Sequence, residues 1–169
     1  RILTADVLLQ ITSDLTIESG TVSLNAFAPP YTVTIKPDGA PRLVSYGGAN
    51  SLIVLNGADR VIIDGSLSNT ANTLCPLVQA SRDLTFKNTA ASASVINLRS
   101  QPTNPATNNV IKNCNIEGNA TSTTIFGIAS TDQTVTISSL GKDNDNNSFA
   151  NNDINGIMMT EEKDNKGYY

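Results

Sequence analysis

Histidine and tryptophan are both missing from this chain, and its 169 residues include only two cysteines and 5% aromatics. With so few rings, a globular core organised around aromatic side chains is not expected; a narrow core of stacked aliphatic residues fits better. Without histidine and without a Cys-x-x-Cys pair, the pattern of a zinc site is absent. Charged residues are scarce at 15%, against about 25% in an average globular chain. The net charge is -4. An acidic chain without basic clusters lacks the footprint of a nucleic-acid binder and the patch an anionic membrane attracts. No apolar run approaches the roughly 20 residues of a membrane-spanning helix. The shortage of charge is not the mark of disorder, because apolar residues still make up 39% and recur with period two.

What is present is a repeat. Residues 108–118, NNVIKNCNIEG, return as residues 146–156, NNSFANNDING. Asn108, Asn109 and Asn113 align with Asn146, Asn147 and Asn151. Ile111 and Ile116 align with Phe149 and Ile154, and Gly118 with Gly156. Self-similarity at a few tens of residues marks a stacked array. The content is strand-like, with turns rich in Asn, Asp, Gly and Ser. The fold class expected is all-β: a right-handed, single-stranded parallel β-helix, or solenoid, filling residues 1–169 as one domain.

Short apolar runs at 8–11, 15–17, 22–24, 32–35, 43–46, 52–55, 61–63, 84–86, 95–98, 110–111, 116, 125–128, 135–137, 149 and 157–159 are the strand candidates. Most stop at Gly, Asn or Asp, which tolerate the left-handed backbone of a sharp corner. No stretch has sustained helical period. Val61 and Leu84 begin similar runs 23 residues apart (84 minus 61), about one coil of three strands and three corners. Stacked coils would lie about 4.8 Å apart. Asn109 over Asn147, and Asn113 over Asn151, are candidate amide ladders along the axis. The longer interval of 38 (146 minus 108) implies insertions at 119–124 and 131–145, which in stacked arrays project from one face. An antiparallel sandwich also uses short strands at close spacing, but leaves the Asn repeat unexplained.

Several stretches resemble a known family. Residues 51–65, SLIVLNGADRVIIDG, are similar to the LNGADxVxIDG segment of right-handed parallel β-helix proteins of the pectin-lyase-like superfold, in large secreted or surface-attached bacterial proteins. RDLTFKN at 82–88 resembles LTIxN, and 108–118 resembles NNxIxNCxIxG. DNDNN at 143–147, leading into 151–154, resembles NDNNxxxNNxI. YTVTIKPDGAPR at 31–42 is similar to YTVTIKPxGxxR. The resemblance spans about residues 15–159. It implies a β-helical segment of a longer multidomain extracellular protein, with neighbouring domains of the same chain as contacts, and it carries no specific activity.

The superfold also hosts polysaccharide lyases and glycoside hydrolases, so catalytic groups were sought. A lyase needs a base, often Arg or Lys, and acidic residues holding calcium; a hydrolase needs carboxylates facing one cleft. Asp59, Asp64, Asp83, Glu117, Asp132, Asp143, Asp145 and Asp153 are scattered. Asp64-Gly65 reads as a turn, and Asp59 and Asp83 as equivalent corner positions. Arg82 and Arg99 read as exposed solubilising residues. Asp143, Asp145 and Asn147 occupy the first three alternating positions of a calcium loop, but Ser148 stands where its Gly belongs and Ile154 where its last acid belongs; a corner with an Asn ladder explains them better. Cys75 and Cys114 admit a disulfide, compatible with export, or two small buried side chains; the second is the expectation. Tyr46 and Phe126 are the mid-chain rings to inspect as a binding platform, with core packing expected for both.

No catalytic residue, metal ligand or cofactor is therefore assigned. The function expected is a non-catalytic structural or adhesive segment on the bacterial surface or outside the cell, with surface glycans or extracellular proteins as partners. The alternative is a fragment of a lyase or hydrolase. Open ends would expose strand edges, so the isolated chain is expected to be poorly soluble.

Overall fold

The computed structural model describes residues 3–67, 80–90, 93–119, 126–132, 134–135 and 144–157. Among these are strands β1 (Val7–Ile11), β2 (Leu24–Asn25), β3 (Val33–Pro37), β4 (Arg42–Tyr46), β5 (Ile53–Asn56), β6 (Val61–Asp64), β7 (Leu84–Asn88), β8 (Ser94–Arg99), β9 (Val110–Lys112), β10 (Cys114–Glu117), β11 (Phe126–Thr131), β12 (Ser148–Ala150) and β13 (Asp153–Asn155). No helix occurs among the described residues. The strands form three sheets: β1-β3-β6-β9-β12, β13-β10-β7-β4 and β11-β8-β5-β2. Every strand pairing within them is parallel. From β3 onward the chain visits the first, second and third sheets in fixed rotation. The protein is all-β and parallel β-helix-like.

Parallel neighbours in register bring like side chains together. In the first sheet Leu9, Ile35, Ile63, Ile111 and Phe149 are successive partners. In the second, Leu15, Val44, Phe86, Ile116 and Ile154 follow one another. In the third, Ile53, Ile96 and Ile128 pair, beside Leu24, Leu55 and Leu98. Period two sends these residues inward, and the middle ones form one aliphatic core that holds the ring of Phe86 and is joined by Phe27. Cys114 belongs to it, opposite Leu84, and is a free, buried thiol. That is the expected small core residue; Cys75 lies outside the described residues.

The corners follow from the backbone. Arg60, Asn108 and Asn146 all have positive φ (57, 57 and 57°), and so do Asn113 and Asn151 (58 and 51°). Each set precedes or follows equivalent strands. Asn is the non-glycine residue best suited to this conformation; Arg60 takes it without that preference, and its guanidinium donates to the carbonyls of Tyr31 and Phe27 and lies 5.4 Å from the centre of the Phe27 ring.

Three expectations need correction. Val61 and Leu84 do not stack: β6 lies in the first sheet and β7 in the second. The strands that do pair place Ile35 on Ile63 and Ile63 on Ile111, intervals of 28 and 48 residues. Connections set these intervals, from 4 residues between β3 and β4 (38–41) to 19 between β6 and β7 (65–83). Asp59 and Asp83 therefore sit at different corners. The runs at 15–17 and 22–24 shrink to a single bridge at Leu15 and to β2, leaving Ile17 and Val22 exposed. The runs at 135–137 and 157–159 lie mostly outside the described residues, and Val135 and Ile157 are not in strands.

Candidate functional site

Each sheet turns a second set of side chains outward. On the first sheet Lys112 is the register partner of Asp64, and the Nζ atoms of Lys36 and Lys112 lie 3.8 and 3.4 Å from Asp64 Oδ2. Asp64 is the terminal residue of β6 and holds its own corner: Ser66 donates its N–H and its hydroxyl to Asp64 Oδ1 at 3.1 and 2.7 Å. Asn113 donates to the same oxygen at 2.9 Å, and Asn151 donates to Asn113 Oδ1 at 2.8 Å. Asp64, Asn113 and Asn151 thus make a side-chain ladder along the repeat. Burial of Asp64 pushes its pKa up, but the bonds from Asn113 and Ser66 and the charge of Lys112 outweigh that and hold it below its ordinary value. The turn reading of Asp64 stands.

Asn109 and Asn147 share a second line, joined differently from the amide-to-amide contact expected. Asn147 Oδ1 accepts the Asn109 N–H at 2.9 Å, and Asn109 Oδ1 accepts the Val61 N–H at 2.9 Å. Their amide groups donate to the carbonyls of Ala106 and Ala58. One asparagine after another completes the backbone bonding of the strand before it. Asn144 works similarly: its Oδ1 accepts from Ser100 and Ala106, and its Nδ2 donates to Leu98 and Thr131 carbonyls. The oxygens of Asn144 and Asn147 are therefore occupied by protein donors. Asp143 lies outside the described residues. No group of three His, Cys, Asp or Glu residues able to hold a metal occurs among the described residues.

Asp59 and Asp83 are corner acceptors. Asp59 takes the N–H and the hydroxyl of Thr107 at 2.8 Å each. Asp83 accepts from Leu67 N–H and the Ser81 hydroxyl. Arg82 is exposed, as expected, and it also donates to the carbonyl and side chain of Asn151. On the second sheet Asp14, Arg42, Leu43, Thr85, Lys87 and Glu117 line an open groove of about 360 Å³. Glu117 is paired with Lys87 at 3.3 Å, and Asp14 Oδ1 accepts the Leu43 N–H at 2.9 Å.

The third sheet has the most developed outer face. Val54, Asn97 and Ala129 are register partners there and are all buried despite pointing away from the core. Val54 and Asn97 line a cavity of about 420 Å³, together with Gly20, Thr21, Ser23, Asn50, Arg99, Thr134 and Val135. Arg99, also read from sequence as exposed, is half-buried here. Its Nε donates to Asn56 Oδ1 at 2.7 Å and Nη2 to Ser23 Oγ at 3.4 Å. Asn56 in turn donates to Asn25 at 2.7 Å and accepts from Gln101. Asn97 Oδ1 accepts the Thr131 hydroxyl at 2.9 Å. Sequence reasoning missed this site because its members, Ser23, Asn50, and Asn97 with Arg99, come from three separate passes of the chain. Tyr46 packs against the core, as expected; Phe126 is half-buried at the start of β11.

Comparison of the chain with protein-family models, with curated proteins and with solved structures gives no match.

Proposed function

We propose that the chain is a right-handed, single-stranded parallel β-helix serving as a structural and adhesive segment of a secreted or cell-surface bacterial protein. The observation that carries this reading is the rotation of the strands through three parallel sheets, with aliphatic and amide side chains aligned from strand to strand. Such a scaffold grows along one axis and presents long polar stripes outward. Connections between parallel strands are nearly always right-handed, which supports the hand. The resemblance of residues 51–65 and 108–118 to β-helical surface proteins supports the setting, with surface glycans or extracellular proteins as partners. An experimentally determined structure tests the winding: parallel neighbours joined by right-handed connections are expected, and antiparallel neighbours or left-handed connections overturn the solenoid. A glycan and matrix-protein array tests adhesion. Binding to neither removes the adhesive role and leaves a stalk.

One observation favours a second reading, a fragment of a polysaccharide lyase or hydrolase. Asp14 and Glu117 line the same groove as Arg42 and Lys87. Incubation with acidic and neutral polysaccharides, followed by assay of new chain ends, decides it: release that Glu117→Gln abolishes establishes the enzyme, and no release dismisses it.

A further inference from the structure

We propose that the cavity over the third sheet binds a singly charged, hydroxylated carboxylate: one acidic sugar unit. The inference deepens the adhesive reading by giving one of its faces a ligand.

The cavity is rich in donors and poor in acceptors. Among the described residues Arg99 is its one charged lining residue, and no described Asp or Glu lines it. Nor does Arg99 form an ion pair among the described residues. A guanidinium carries five N–H donors. One is used on Asn56 and one, at 3.4 Å, on Ser23, so three have no acceptor among the described residues and can serve a ligand. Asn97 is only 3% exposed and lines the same space. Its oxygen is satisfied by Thr131, while its amide hydrogens have no acceptor among the described residues. A buried, unpaired amide is costly, and a ligand oxygen removes the cost. An anion with a planar pair of oxygens satisfies the Arg99 fork and the Asn97 amide together.

Charge and space narrow the class. One guanidinium balances one negative charge, so a monoanionic carboxylate fits better than a phosphate dianion. The remaining lining includes Thr21, Ser23, Asn50 and Thr134, whose hydroxyls and amide suit a hydroxylated ring. A volume of about 420 Å³ lies within the small-ligand range and is open enough for a terminal sugar of a longer chain. The net charge of -4 works against long-range attraction of anions. Recognition here is by contact.

Two sources carry this chemistry, a uronate and a nine-carbon sialate. The test is calorimetric titration of the whole chain with glucuronate and with N-acetylneuraminate, beside glucose, glucuronate methyl ester and glucose 6-sulfate. At least one carboxylate sugar is expected to bind roughly tenfold or more tightly than glucose and the ester, the scale of a charged hydrogen-bonded pair. Whichever acid binds better names the source. Arg99→Gln should lose that preference, and Arg99→Lys should keep only part of it. The proposal is overturned if neither acid binds, if the ester or glucose binds equally, if the sulfate binds more tightly, or if Arg99→Gln changes nothing. The acid-against-ester comparison uses the unaltered chain, so it holds even where a variant fails to fold. Neutral glycans captured on the array, with no preference for acids in solution, would remove this site and leave the adhesive reading intact.

Discussion

Ile116 and Ile154 are neighbours in one line of the second sheet, carry the same side chain and occupy the same place in the repeat, yet Ile116 is 0% exposed and Ile154 48%. The first sheet shows the same contrast between Ile63 and Ile111, fully buried, and Leu9 and Phe149 at its two edges, 47 and 49% exposed. A residue in the middle of a line is covered from above, below and across the core. One at either edge of the sheet has only one strand neighbour. Stability in such an array is thus a property of position along the axis as much as of residue type.

The largest effect that tests this contrast comes from truncating the two isoleucines. Ile116→Ala should cost roughly 2–5 kcal/mol, the transfer term plus a cavity that its packed neighbours cannot close. Ile154→Ala should cost about 1 kcal/mol or less, as at a surface site. Urea unfolding of both variants measures the difference. Equal losses would mean that the described edge is covered as well as the middle.

Asparagine gives the next effect. Asn113 is 8% exposed, holds a φ of 58°, donates to Asp64 and accepts from Asn151. Asn113→Ala should lose about 2–4 kcal/mol, combining left-handed backbone strain with unpaired ladder groups. Asn113→Gly relieves the strain and keeps only the lost bonds, so it should lie about 1–2 kcal/mol above the alanine variant in stability. At Asn151, nearer the edge and less buried, truncation should be milder. If the Ala and Gly variants unfold together, backbone conformation is not what selects asparagine at this corner.

Acid probes the same ladder more gently. The folded-state pKa of Asp64 is lowered from an ordinary 3.8, so the unfolded chain binds its proton first as pH falls. Its contribution is therefore complete above the ordinary value and lost as pH drops through the folded one. Wild type should lose stability faster than Asp64→Asn on acidification below pH 3.8, and the two curves should run parallel above it. Curves that stay parallel in acid would show that the Lys36, Lys112 and Asn113 contacts do not hold the charge.

Much of the scaffold was readable beforehand because its signals are local. Alternation within β3, β6 and β7 marks strands, and Asn at 108, 113, 146 and 151 marks corners whose backbone only Asn or Gly enters cheaply. The repeat at 38 residues gave the true pairing of Ile111 with Phe149. The 23-residue interval misled because runs of similar composition occur on all three sheets, and only connection lengths decide which run stacks on which. The site was hidden for a related reason. Arg99 looked like a solvated charge because nothing within its own strand shows that Ser23, 76 positions away, closes over it. Nor does the text around Asn97 show that its outward face is buried.

The smallest effect on folding, and the sharpest on behaviour, is expected at the edges themselves. β1 and β12 bound the first sheet and β13 bounds the second. Among the described residues each lacks a strand partner on its outer side and carries an exposed apolar side chain, Leu9, Phe149 or Ile154. That combination templates strand addition by another molecule. Ile154→Lys places a charge beside the edge at little cost in stability, since the side chain is already half exposed, and a second copy could then dock only by burying an unpaired ammonium. In sedimentation velocity the wild-type chain should associate as concentration rises, and Ile154→Lys should shift it towards monomer with an unchanged urea midpoint. A wild-type chain that stays monomeric throughout would show that its edges are protected, and the contrast between middle and edge would then be one of burial alone.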